Sequence, residues 1–166
     1  MTLAAIVSAL GVVALTLGAF VQVLDISMAV IASVFVIFAV IELRGPYPYL
    51  VYAVTSVLSI LLLPNKTPAL IYLLFAGYYP ILKAVFEGKL RPVFAWILKF
   101  VVFNIALGAA VGLALWLFAS EISPQLMQYW WLIFLLEPIF LIYDIALTRL
   151  ISIYMLRLRS RLRFLE

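Results

Sequence analysis

The feature that most constrains this chain is a series of long apolar runs, each close to the length of a membrane-crossing helix. A helix needs about 20 apolar residues to cross the hydrocarbon core of a bilayer. Runs of this length recur between prolines, glycines and charged residues. They predict six spans, with a basic helical tail continuing to about 160, at roughly 3–23, 26–43, 47–63, 67–87, 91–119 and 124–148.

The composition supports this assignment. Hydrophobic residues make up 69% of the chain and charged residues 11%, whereas soluble domains are roughly 45–50% apolar. No polar stretch among the 166 residues is long enough for a separate soluble domain. We therefore expect a single all-α domain, 1–166, an integral membrane bundle of six helices. The first run lacks a preceding basic segment and a cleavage site, so we keep it in the mature protein.

The connections between the predicted spans are short. Proline stands near the start of three spans, where the first helical turn has no use for the missing N–H. Such short connections make consecutive helices antiparallel neighbours. These prolines are Pro68, Pro92 and Pro124.

The distribution of basic residues predicts the orientation. With a cytoplasmic N-terminus, most Lys and Arg fall on the inner side, including Arg44, Lys89 and Arg91. Both termini are then cytoplasmic in a multi-pass protein of the cell membrane. The terminal "RLRSRLRFLE" could bind a partner protein or nucleic acid, but anchoring to anionic lipid headgroups is the favoured interpretation, and no nucleic-acid partner is expected. Its arginines are Arg157, Arg159, Arg161 and Arg163.

Several kinds of chemistry are excluded. The chain has no cysteine and no histidine, which removes thiolate and imidazole catalysis and the commonest metal ligands. It also lacks the glycine-rich loops that cradle phosphates in ATPases. We expect no metal, no cofactor and no enzymatic activity, since only Glu137, Asp144 and tyrosines could do acid–base work.

Charged residues nevertheless occur inside the predicted spans. Unpaired charges in hydrocarbon cost about 2.5–3.5 kcal/mol, so they usually face inward and pair. The group either forms an ionic clasp that fixes helix packing, or lines a coupling surface or polar cavity facing the cytoplasm. We expect buried Lys99 to pair with Asp144, or else with Glu137. The group consists of Glu42, Lys83, Glu87, Lys99, Asp144 and Arg149, and Asn104 and Glu137 complete the predicted intramembrane polar cluster.

Glu137 is placed by this prediction near the centre of the last span, directly before Pro138. Proline removes one backbone hydrogen bond, so the helix can kink and free a carbonyl beside the carboxyl group. Three states stay open for Glu137: protonated, hydrogen-bonded to Asn104, or paired with Lys99.

Small residues in the first span allow close helix contact. They serve either packing within the chain or docking on another membrane protein. The relevant residues are Ala4, Ala5, Ser8 and Ala9.

In span four, Tyr78, Tyr79 and Pro80 either line a pocket or pack around a proline kink.

The six short-looped helices, the first helix "MTLAAIVSALGVVALTLGAF" and the Gly-Pro after span two resemble the substrate-binding S components of energy-coupling factor transporters. The resemblance implies that the first helix docks on a membrane coupling subunit through Ala5 and Ala9, or through Ala4 and Ser8. It also implies partner ATPases and a small-molecule substrate bound at the outer side. The chain departs from the family in its sparse outer loops and in lacking the His-containing metal motif, so the substrate is unassigned.

Two functional hypotheses follow. The first is a substrate-capture subunit of an uptake transporter energised by other chains. The alternative is a membrane scaffold or assembly protein that uses the intramembrane charges and the basic tail. The rod-shape morphogenesis membrane proteins have a similar size and helix count and act in this second way.

Overall fold

The computed structural model describes residues 2–43, 45–118 and 135–158. These residues form helices and turns and contain no strands. They belong to two compact units, Met1–Ala110 and Val111–Glu166.

The helices follow the predicted spans closely in the first unit. A 3-10 turn at Gln22–Leu24 joins α1 to α2, and a π turn at Tyr72–Ala76 separates α4 from α5. The helices are α1 (Thr2–Phe20), α2 (Asp25–Glu42), α3 (Tyr47–Leu62), α4 (Thr67–Ile71), α5 (Tyr79–Lys89) and α6 (Pro92–Phe118), which continues into the second unit.

The second unit contains α7 at Leu136–Ile153, which continues into a π turn at Tyr154–Leu158. The predicted start of the last span at Pro124 lies outside the described residues. Among the described residues, five helical segments are long and apolar enough to cross a membrane, and α3 is a shorter apolar helix. The five are Thr2–Phe20, Asp25–Glu42, Thr67–Lys89, Pro92–Trp116 and Leu136–Leu156.

Local chemistry explains the helix ends. Proline occupies the first turn of α3, α4 and α5 and the first position of α6, where its missing N–H costs no helical hydrogen bond. Gly45 has a φ of 78°, a left-handed conformation that glycine adopts without steric cost. Lys66 donates from Nζ to the carbonyls of Ile60 and Leu63, which caps the negative end of α3.

The core of the first unit lies where α1 packs on α2 and α3. Leu15, Ala29 and Val36 are completely buried. Glycine allows the close approach: a Cβ on Gly11 would stand 3.0 Å from Cγ2 of Thr55, and one on Gly18 would stand 2.9 Å from Cβ of Met28. Gly11 and Gly18 on α1 therefore serve packing within the chain.

Candidate functional site

The ionic group centres on one carboxylate. Oε1 of Glu87 accepts hydrogen bonds from Nζ of Lys83 at 2.8 Å and from Nζ of Lys99 at 2.5 Å. Lys83 is 0% exposed and Lys99 is 2% exposed, whereas the Glu87 side chain is 42% exposed. Two buried cations thus share an anion that reaches the surface.

Helix geometry explains why these residues meet. Lys83 and Glu87 are one turn apart on α5, the spacing at which helical side chains contact each other. Lys99 lies on α6, two turns after the α5–α6 connection. Helical side chains lean toward the N-terminus of their helix, so Lys99 leans back toward the connection and Glu87 leans away from it. The ammonium group of Lys99 also lies 4.8 Å from the centre of the Trp96 ring, within cation–π range.

From the sequence we did not assign Glu87 as the partner of Lys99. We expected Asp144 or Glu137, which belong to the second unit, and those pairings stay predictions. The carboxylate of Glu87 is supplied by the helix adjacent in sequence, so a clasp between α5 and α6 forms within the first unit.

The remaining residues of the predicted group are spread over other helices. Glu42 is half-buried at the last position of α2. Asn104 is exposed on α6 and donates from Nδ2 to the Phe100 carbonyl at 3.0 Å. On α7, Asp144 is 1% exposed and Arg149 is exposed.

The predicted depth of Glu137 stays a prediction, because the first part of the predicted span, from Pro124, lies outside the described residues. We expected it near the centre of a span, beside a proline kink. Within the described residues, α7 begins at Leu136, and Glu137 and Pro138 stand in its first turn. The missing N–H of Pro138 interrupts no hydrogen bond of this helix there, and the acidic side chain suits the positive end of the helix dipole.

The small residues of α1 divide between two faces. Ser8 is buried, with its hydroxyl donating to the Ala4 carbonyl, and its own carbonyl accepts from the Thr55 hydroxyl at 3.4 Å. Ala4 packs against the core. Ala5 and Ala9 are exposed. Because the intramolecular packing already covers Ala4 and Ser8, only the Ala5–Ala9 register is available to a partner helix.

The sequence analysis missed a second site in the first unit, the π turn at Tyr72–Ala76. Gly77 donates from its N–H to the Tyr72 carbonyl at 2.8 Å, a bond that spans five residues instead of four. The hydroxyl of Tyr52, on α3, donates to the Leu73 carbonyl at 2.9 Å. This bond supplies the Leu73 carbonyl with a donor inside an apolar helix pair.

Aromatic rings surround this turn. Tyr72 and Tyr79 are completely buried. The Tyr52 ring lies 6.0 Å, centre to centre, from the rings of both Tyr72 and Tyr78, and Phe75 lies 4.8 Å from Tyr79. The expectation of a packed kink near Pro80 therefore has a structural counterpart in these ring contacts. The available signal was the run of aromatic residues around Gly77 and Pro80.

The basic tail falls largely beyond the part of the chain that is described. Arg159, Arg161 and Arg163 lie outside the described residues, as does the side chain of Arg157. Anchoring to lipid headgroups by these arginines stays a prediction.

No group of three or more acidic side chains within the described ranges could hold a metal ion. Comparisons with protein-family models, with curated proteins and with solved structures found no match.

Proposed function

We propose that this chain is a six-span protein of the cell membrane with both termini in the cytoplasm, and that it acts as a substrate-capture subunit of an uptake transporter. Its resemblance to the S components of energy-coupling factor transporters supports this function. The absence of phosphate-binding motifs from the sequence means that energy would come from other chains. Those partners would be a membrane coupling subunit and ATPases.

One observation carries the proposal. Ala5 and Ala9 are exposed one helical turn apart on α1, while the neighbouring small residues are covered by the chain's own helices. Small residues at this spacing let a partner helix approach the backbone closely, which is how membrane helices associate without a hydrophobic driving force. The surface fits a helix of another membrane protein.

Copurification tests this docking. Tagged protein is extracted from native membranes in several mild detergents, and we expect an ATPase and a second membrane subunit to accompany it. Ala5→Trp and Ala9→Trp should remove these partners, because each adds a bulky ring to the contact face. Ala109→Trp, on an exposed position of α6, is the matched control and should retain them.

Recovery of the protein alone in every detergent would contradict the transporter hypothesis. Equal loss of partners in the Ala109→Trp control would show that a bulky exposed side chain disturbs the protein generally, and the α1 face would no longer be supported as the docking surface.

The scaffold alternative is favoured by a separate observation. At the proposed outer end of the first unit, Nδ2 of Asn65 donates to the Asp25 carboxylate at 3.4 Å. Oδ1 of Asn65 accepts from the Thr67 N–H at 3.0 Å. The first bond joins the α3–α4 connection to the start of α2, and the second holds the Asn65 side chain in place, as expected of a surface that does not open to admit a solute. Copurification of envelope-assembly proteins instead of an ATPase would favour this function.

A further inference from the structure

The Leu73 carbonyl has two alternative hydrogen-bond donors. The structure pairs it with the Tyr52 hydroxyl at 2.9 Å. In an uninterrupted α-helix, the carbonyl of residue 73 would accept from the N–H of residue 77. Here the N–H of Gly77 bonds to the Tyr72 carbonyl instead. The Tyr52 hydroxyl and the Gly77 N–H are therefore competitors for one acceptor.

In both arrangements the Leu73 carbonyl has a hydrogen-bond donor, which is important inside a membrane. Within hydrocarbon, no water is present to satisfy a carbonyl that loses its partner. If Tyr52 releases Leu73, the helix recovers the lost bond by rewinding from the π turn to a regular α turn. The change exchanges one hydrogen bond for another and leaves no bare carbonyl at Leu73.

Packing around Gly77 favours the observed arrangement. A Cβ added to Gly77 would stand 2.7 Å from Cδ2 of Tyr52 and 2.8 Å from Cε1 of Tyr72. Real Cβ atoms do not approach rings this closely, so both rings rest against the bare backbone of Gly77. Any side chain at residue 77 would push the rings away and weaken the Tyr52–Leu73 bond.

The helix is already broken just beyond this point. Pro80 has no N–H, and α5 starts at Tyr79 after the Gly77–Tyr78 turn. Rewinding the π turn needs no hydrogen bond from Pro80, and the extra residue can be absorbed beyond α5, at the extended backbone of Leu90. This confines the movement to the segment that follows, α5.

We propose that the π turn at Tyr72–Ala76 is a register switch that rotates α5. A π turn accommodates one extra residue, so its removal turns the following helix by about 100°, one residue of an α-helix. A side chain at a radius of about 5 Å from the helix axis then moves by about 8 Å.

The rotation acts on the ionic clasp. Lys83 and Glu87 both lie on α5, whereas Lys99 lies on α6. The pair Lys83–Glu87 turns with its helix, and the bond from Lys99 to Glu87 breaks. The Tyr52 hydroxyl, at the π turn, and the Lys99 ammonium group, near the end of α5, therefore both stabilise the observed register of α5. The switch does not depend on the proposed function, since a transporter or a scaffold could use it.

The natural absence of cysteine makes the switch measurable by spin labels. One label is placed at Leu50→Cys on α3 and the other at Ala84→Cys on α5, both exposed positions. The distance distribution between them is measured by pulsed electron paramagnetic resonance in lipid nanodiscs. Rotation of α5 moves the label at 84 and creates a second distance population.

Three substitutions should populate the rotated register. Tyr52→Phe removes the competing hydroxyl, Gly77→Ala forces the rings away, and Lys99→Met releases the far end of α5. Each should raise the second population to a measurable fraction, on the order of 10% or more. Gly108→Ala, at a helical glycine with no atom within 4 Å of its added Cβ, should leave the distribution unchanged.

A single, unshifted distance in folded Tyr52→Phe and Lys99→Met proteins would overturn the switch. These two variants keep the test decisive if Gly77→Ala does not fold. A second population that appears equally in Gly108→Ala would also overturn it, because the change would then reflect general loosening of the helices.

Discussion

Replacing Glu87 by Gln and Lys99 by Met, singly and together, measures the strength of the α5–α6 clasp. Glu87→Gln keeps the shape of the side chain but removes the negative charge shared by two buried ammonium groups. Lys99→Met keeps most of the apolar stem and leaves Glu87 with Lys83. The double variant removes both charges of the Glu87–Lys99 pair and keeps Lys83, which is present in all four proteins of the cycle.

The burial of the three side chains sets the expected size. Breaking a fully buried ion pair costs about 3–5 kcal/mol, and an exposed pair contributes about 0.2–1 kcal/mol. Lys99 is 2% exposed, but the Glu87 side chain, near the end of α5, is 42% exposed. We therefore expect a coupling free energy between Glu87 and Lys99 of about 1–2 kcal/mol, intermediate between these limits.

The free energy of unfolding is measured for the four proteins of the cycle by denaturant titration in mixed micelles. A parallel cycle pairs Glu87→Gln with Lys89→Met. Lys89 is an exposed lysine at the end of the same helix, and its coupling to Glu87 should be within error of zero.

A Glu87–Lys99 coupling indistinguishable from the Glu87–Lys89 value would refute the clasp. It would mean that Lys99 reaches the membrane surface in solution and is not held by Glu87.

Three further predictions concern packing and helix ends. Gly18→Ala should destabilise the protein by about 1–2 kcal/mol, because its Cβ would overlap Met28, whereas Gly108→Ala should be neutral or stabilising in the same unfolding assay. Lys66→Met should cost about 0.5 kcal/mol by removing the cap on α3, and a loss below measurement error would show that water replaces the ammonium group. Glu137→Gln should fold as well as the parent protein and Glu137→Leu less well by thermal unfolding; the reverse ranking would place Glu137 against lipid.

The sequence predicts the helical class well because the membrane imposes a simple rule on length and polarity. Apolar length and the placement of proline predicted α6 at 91–119, against the observed Pro92–Phe118. Span four was predicted as one helix over 67–87, and the π turn within it was missed. Within this turn the Leu73 carbonyl accepts a hydrogen bond from the Tyr52 hydroxyl of another helix, a contact that no local pattern reveals.

The sequence predicted which residues form the candidate site better than it predicted which of them contact each other. Lys83, Glu87 and Lys99 were singled out because charge in an apolar span needs a partner, and the structure brings these three together. The pairing of Lys99 with Glu87 depends on the rotation of α6 and on the lean of both side chains. Apolar periodicity constrains that rotation poorly in a helix that is hydrophobic on all sides.

The spacing of the clasp residues has a consequence for biogenesis. Lys83 and Glu87 lie on one helix, so in the proposed membrane topology their charges can neutralise each other while span four is inserted, ahead of α6. Lys99 emerges later and finds its counter-ion already in place. The order of the charges along the chain thus lowers the free-energy cost of inserting each successive helix. This cost is substantial for a single unpaired charge at the bilayer centre.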